Sequence, residues 1–101
     1  MIARIWCGKT KAEHYETYTQ FMRERALPDY SGVDGFVRLD FLRRLDGEYG
    51  IFQLITYWRD EDAIRSFAGD DIQIAKYYTE DQLYLLEFEE HVTHFDVFAS
   101  V

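Results

Sequence analysis

The sequence is poor in the residues that break or staple a chain. Its 101 residues include one cysteine and one proline, and asparagine is absent. A lone Cys7 excludes an intramolecular disulfide and a thiolate zinc cluster. A single Pro28, set against 48% hydrophobic residues, excludes a disordered or low-complexity chain. Basic residues are also scarce: 11 Lys and Arg against 19 Asp and Glu leave a formal charge of −8. Nucleic-acid binding needs clustered cations to release counterions, so that balance argues against it, and against an anionic membrane surface. Its plain consequence is good solubility. No stretch approaches the roughly 20 apolar residues of a membrane span. The opening run from Met1 to Trp6 is broken by Arg4 and is too short for a signal-peptide core, so a cytoplasmic protein is expected.

What the chain has in excess is rings. Eight Tyr, eight Phe and two Trp make 18% of the residues. That is more aromatic surface than the core of one small domain needs for volume alone, and the length suits a single domain over residues 1–101.

Periodicity divides the chain into elements. Ile2 to Cys7 is short and apolar and ends at Gly8, as a buried strand would. Thr10 and Glu13 have capping-box spacing. Beyond them Ala12, Tyr15, Tyr18, Met22 and Ala26 form a helical stripe, which Pro28 should end at Leu27. Asp29 to Gly35 reads as a loop. Phe36 to Leu45 reads as a strand, with Val37, Leu39, Phe41 and Leu45 on one face, and Asp46-Gly47 signals a reverse turn. Ile51 to Trp58 returns as a strand apolar on both sides. Asp60 caps a second helix, with Ala63, Ile64 and Phe67 on its buried side and Gly69 at its end. Asp70-Asp71 suggests a further short helix through Tyr77-Tyr78, and Thr79 to Gln82 a capping box ahead of Leu83 to Phe88. A last strand should run from about Glu90 to Phe98.

The order strand-helix-strand-strand-helix-strand is the ferredoxin-like α+β plan, a four-stranded antiparallel sheet with both helices on one face. Helices can cover only one face, yet the first and third strands carry apolar residues on both. A second copy of the same sheet is the economical cover, so a two-fold homodimer through the sheet face is expected.

Three stretches resemble the antibiotic biosynthesis monooxygenase superfamily of dimeric α+β barrels: Ile2 to Trp6, Tyr57 to Phe67, and Val92 to Val97. The resemblance covers nearly the whole chain. It implies a monooxygenase of the cofactor-independent kind, acting on an aromatic or quinol-like small molecule. The alternative within the same fold is a non-catalytic dimeric module that binds a ligand or assists another enzyme. In the haem-degrading branch the resemblance places an Asn, a Trp and an iron-binding His at positions that hold Cys7, Phe67 and Tyr77 here. All three depart from that pattern, which speaks against haem degradation of that type.

Several residues could carry chemistry. His91 and His94 lie three apart on an expected strand and point to opposite faces, so they do not form a metal pair, and no metal or cofactor site is expected. His94 alone could act as a general base, or sit in the core or at the dimer contact. Trp58, Phe67 and Tyr78, with Tyr77 and Tyr84, could wall a flat pocket for a phenol or quinol, or could pack helix against sheet. In the pocket reading Tyr77 or Tyr78 orients the substrate hydroxyl and His94 takes its proton. Cys7 could line that pocket; as a nucleophile it would need a cationic partner to lower its pKa, and a packing thiol is the plainer role. Arg4 and Arg38 could reach a ligand carboxylate, or pair with Asp40, Glu89 or a partner subunit.

Overall fold

The computed structural model describes residues 1–101. Strand β1 (Ile2–Lys11) leads through a helical run into strand β2 (Phe36–Asp46), which turns back into β3 (Tyr49–Trp58). Helix α2 (Glu61–Ala68) follows, and a short β4 (Thr93–Asp96) closes the order. The helical run contains α1 (Tyr15–Phe21) between a 3₁₀ turn at Ala12–His14 and a π turn at Met22–Ala26. The sheet is antiparallel with spatial order β2-β3-β1-β4, the ferredoxin-like arrangement expected from the sequence. No helix is long and apolar enough to cross a membrane.

β3 organises the sheet. Its residues alternate strictly: Phe52, Leu54, Thr56 and Trp58 are buried, while Ile51, Gln53, Ile55 and Tyr57 are half-buried. The buried parity faces the helices, where Tyr18, Met22 and Ala26 meet it, together with Ala63 and Ile64 of α2. Because directly paired residues share a face, Trp6, which pairs with Leu54, and Arg4, which pairs with Thr56, also point to the helix side. His94 pairs with Arg4 and joins them. The opposite face, made by Ile5, Ile51, Ile55 and Tyr57 with Leu42 and Phe95, has no helix over it.

The second helix starts as its sequence requires: the Asp60 side chain accepts from the Ala63 amide at 2.9 Å. It ends at Gly69, whose φ of 96° only glycine takes without strain.

Other boundaries depart from the sequence reading. β1 does not stop at Gly8 but runs to Lys11, paired throughout with β3. Gly8 is there because the Trp6 indole lies over it: a Cβ would stand 2.3 Å from that ring. Thr10 is therefore a buried strand residue whose hydroxyl donates to the Lys11 carbonyl at 2.8 Å, and it caps nothing. The first helical run passes Leu27 and ends with a 3₁₀ turn at Leu27–Asp29, which accommodates Pro28 near its start. Val37 falls at a register shift in β2 and is exposed, so it does not share the inward face of Leu39 and Phe41. The segment after Gly69 forms no helix. Asp71 instead accepts from the Gln73 amide, and the chain then pairs with residues 90–92 through Ala75 N to Glu90 O and Val92 N to Gln73 O. That pairing uses the residues expected to begin the last strand, which is why β4 is only Thr93–Asp96. The turn at Thr79–Leu83 is 3₁₀, capped one residue earlier than expected, with the Tyr78 amide donating to Asp81 Oδ2 at 2.7 Å.

Candidate functional site

Between the helical run and the sheet lies a cleft walled mainly by rings. Arg4 and Trp6 of β1 form its sheet side, Tyr30 one end, Tyr77 and Tyr78 the outer wall, and Asp81 is set among them. The enclosed space is narrow, about 30 Å³. A larger groove of about 100 Å³ runs between α1 and β2 beside Arg23 and Arg43. It offers no acid–base group, so the ring-walled cleft is the better candidate.

Each wall is fixed by identifiable contacts. The Trp6 indole N–H donates to the Tyr77 hydroxyl at 3.1 Å, and that hydroxyl donates to the Glu89 carbonyl at 2.6 Å. Tyr77 thus ties β1 to the chain running alongside it. The Tyr78 hydroxyl donates to the Asp29 carboxylate, and Arg25 stacks on the Tyr78 ring at 4.7 Å. Asp81 is only 3% exposed. Its Oδ1 accepts from the Tyr18 hydroxyl at 3.2 Å while Oδ2 takes the Tyr78 amide.

Burial governs the electrostatics. It raises the Asp81 carboxyl above the usual carboxylate range, against the two hydrogen bonds that favour the charged form. Burial, reinforced by Asp81, holds the Tyr18 phenol far above its ordinary value. Tyr30 is pushed up to about 12 by burial, although Arg4 pulls it down. Burial lowers the Arg4 guanidinium. His94 is likewise lowered, first by burial and then by Arg4, with Glu61 opposing. Its Nε2 is buried without a hydrogen-bond partner.

Of the residues singled out in the sequence, Tyr77 and Tyr78 come together in this cleft. His94 stands beside Arg4 on the same side of the sheet but does not line the cleft. Trp58 is fully buried in the core, donating to the Thr56 hydroxyl at 2.8 Å. Phe67 stacks on Tyr30 with ring centroids 4.5 Å apart, behind the wall rather than on it. Cys7 pairs with Gln53 and so belongs to the open face, away from the cleft. Partial burial and Glu89 push its thiol up, the reverse of what a nucleophile needs.

Trp6, Tyr30 and Asp81 went unnoticed in the sequence. The alternation Ile2-Arg4-Trp6 puts Trp6 on the Arg4 face and was legible. Asp81 resembled only a capping residue.

No family profile matches the sequence, and no curated protein sequence matches it. Solved structures do. The heme-degrader MhuD from Mycobacterium tuberculosis, with two hemes bound in its active site, is similar over 100% of this chain and 99% of its own, with a TM-score of 0.67 and 17% identity. An MhuD mutant with two manganese protoporphyrin IX bound per active site is similar over 100% and 98%, with a TM-score of 0.61 and 15% identity. The chain therefore shares the fold of MhuD over its full length. At such identities the likeness to MhuD is one of fold, and the chemistry has to be argued from this chain's own side chains.

Proposed function

We propose that this protein is a cofactor-independent monooxygenase acting on an aromatic, quinol-like small molecule. The observation that carries the reading is a ring-walled cleft holding Asp81 and Arg4, each buried among apolar neighbours. Such walls with few polar groups are the usual make-up of a small-molecule site. A ring seated between Trp6, Tyr30 and Tyr77 would have its hydroxyl oriented by Tyr77. A base removes the phenolic proton, and the electron-rich anion reduces dioxygen directly. In an anthrone the methylene carbon loses two hydrogens and gains one oxygen atom, while the other oxygen leaves as water.

Two groups are candidates for the base. Asp81 lines the cleft, and its raised pKa suits a proton acceptor. His94, kept neutral by burial and Arg4, stands one strand away. The geometry favours Asp81, which lines the cleft, over His94, which does not. An iron porphyrin fits poorly. The cleft wall offers neither imidazole nor thiolate to hold its iron. The working unit is a homodimer joined through the open sheet face, where Ile5, Ile51, Ile55 and Tyr57 lie without helical cover.

The test is oxygen uptake with a panel of anthrones and dihydroquinones, without flavin or metal. Asp81→Asn should abolish uptake and His94→Ala should leave most of it. The reverse pattern would make His94 the base, and uptake no faster than in a protein-free control would refute catalysis on these substrates. A second reading, a non-catalytic ligand-binding or accessory module, is favoured by one observation: the enclosed volume of about 30 Å³ is small for a substrate.

A further inference from the structure

Arg4 is a cation without a counter-charge. It is 5% exposed, and its side chain makes one hydrogen bond, from Nη2 to the Ile74 carbonyl at 2.9 Å. Its Nε–H is buried with no partner. No carboxylate pairs with it, although the chain carries 19 Asp and Glu. Asp81, the acid of the same cleft, spends its two oxygens on Tyr18 and the Tyr78 amide. His94, paired across the strands, also leaves its buried Nε2 unsatisfied.

An uncompensated buried guanidinium is strongly destabilising. Buried polar groups without partners are uncommon in folded proteins. The residue that carries this orphaned donor lines a cleft walled by Trp6, Tyr30 and Tyr77, with Lys76 as a second cation on its lining. We infer that the cleft takes an aromatic small molecule bearing an anionic oxygen, a carboxylate or a phenolate, and that Arg4 is its charge partner. The ring lies against the aromatic wall, and the oxygen accepts from the Arg4 Nε–H that nothing in the chain satisfies. Planar guanidinium groups suit such oxygens better than ammonium groups do. Entry of a ring has to displace the Lys76 to Tyr78 stretch, and so to break the Tyr77 bridge to Trp6 and Glu89 or the Tyr78 contacts with Asp29 and Asp81. The inference rests on the proposed function only in taking the cleft as a ligand site.

Binding is measured by calorimetry with benzoate and with benzamide, which share a shape and differ in charge; neither is an oxygenase substrate of the proposed type. Benzoate should bind wild type roughly ten- to hundredfold more tightly than benzamide does, the range of a charge-assisted hydrogen bond. Arg4→Gln should remove that preference, and Arg4→Lys should retain part of it. Equal affinities for the two probes, binding of neither, or benzoate affinity unchanged in Arg4→Gln would each overturn the inference. If Arg4→Gln does not fold, Lys76→Gln decides: the benzoate preference should survive it, and its loss there would overturn the assignment to Arg4. Because no turnover is involved, absent oxygen uptake with intact benzoate selectivity would sink the oxygenase reading alone.

Discussion

Replacing Tyr77 by Phe separates a structural role of its hydroxyl from a chemical one. The change removes a single oxygen that accepts from Trp6 Nε1 at 3.1 Å and donates to the Glu89 carbonyl at 2.6 Å. The two losses differ in cost. Glu89 is exposed, so water can replace the phenol at its carbonyl. Trp6 is 8% exposed and its indole N–H would be stranded. An orphaned buried donor costs about 1–3 kcal/mol, and a solvated one a few tenths. The expected loss is therefore about 1–2 kcal/mol, most of it at Trp6. For a domain of this length each kcal/mol lowers the melting midpoint by roughly 4–8 °C, so Tyr77→Phe should melt about 5–15 °C below wild type. Calorimetry and tryptophan emission report the midpoint and the altered indole environment. Oxygen uptake measured well below both midpoints then tests the chemistry: a fall in kcat there marks the hydroxyl as orienting substrate. An unchanged midpoint would refute the reasoning, because the bridge from β1 to Glu89 would then hold nothing.

Two other perturbations test the electrostatics and the open face. His94 titrates below its ordinary value because of burial and Arg4, with Glu61 opposing. The unfolded chain therefore takes up that proton first, so the stability from His94 is full above its ordinary pKa of about 6.5 and is lost as pH falls through the folded value. Urea midpoints taken on either side of that window should fall further on acidification for wild type than for His94→Gln; equal falls would remove His94 as the cause. On the sheet, Ile55→Lys places a charge at the centre of the open face, where Ile55 pairs with Ile5 and Asp40. Sedimentation should find a wild-type dimer and a folded Ile55→Lys monomer. A wild-type monomer at micromolar concentration would refute the pairing.

How much was legible depended on whether a signal was local. β3 was legible as a β-rich run with Phe52 and Leu54 on one face and Ile51 and Ile55 on the other, though it starts at Tyr49 rather than Ile51. α2 was legible because Asp60 and Gly69 cap it from within a few residues. The errors arose where distant partners decide. Gly8 looked like a strand end, yet its missing side chain makes room for the Trp6 ring. Asp70-Asp71 looked like a helix start, but the following residues are drawn into pairing with Glu90 and Val92, some twenty positions away. The site divided similarly. Tyr77 and Tyr78 could be nominated from composition. Cys7 missed the cleft by one residue, because strand parity gives that side to Trp6. Asp81 carried no sequence mark beyond capping, since its burial is made by Tyr18 and Tyr78 from other parts of the chain.

β2 lies at the border of the sheet, and its outer row of backbone donors and acceptors has no neighbouring strand. An edge this long invites another chain to add on and continue the sheet without limit. Two features discourage that. The irregularity at Val37 interrupts the ladder, and Arg38, Asp40, Arg43, Arg44 and Asp46 line the remainder with charge. Sideways growth would have to desolvate those groups, whereas the apolar residues lie on the flat of the sheet. The architecture thereby disfavours open-ended stacking, and a closed pair of the proposed kind would leave this edge in solvent.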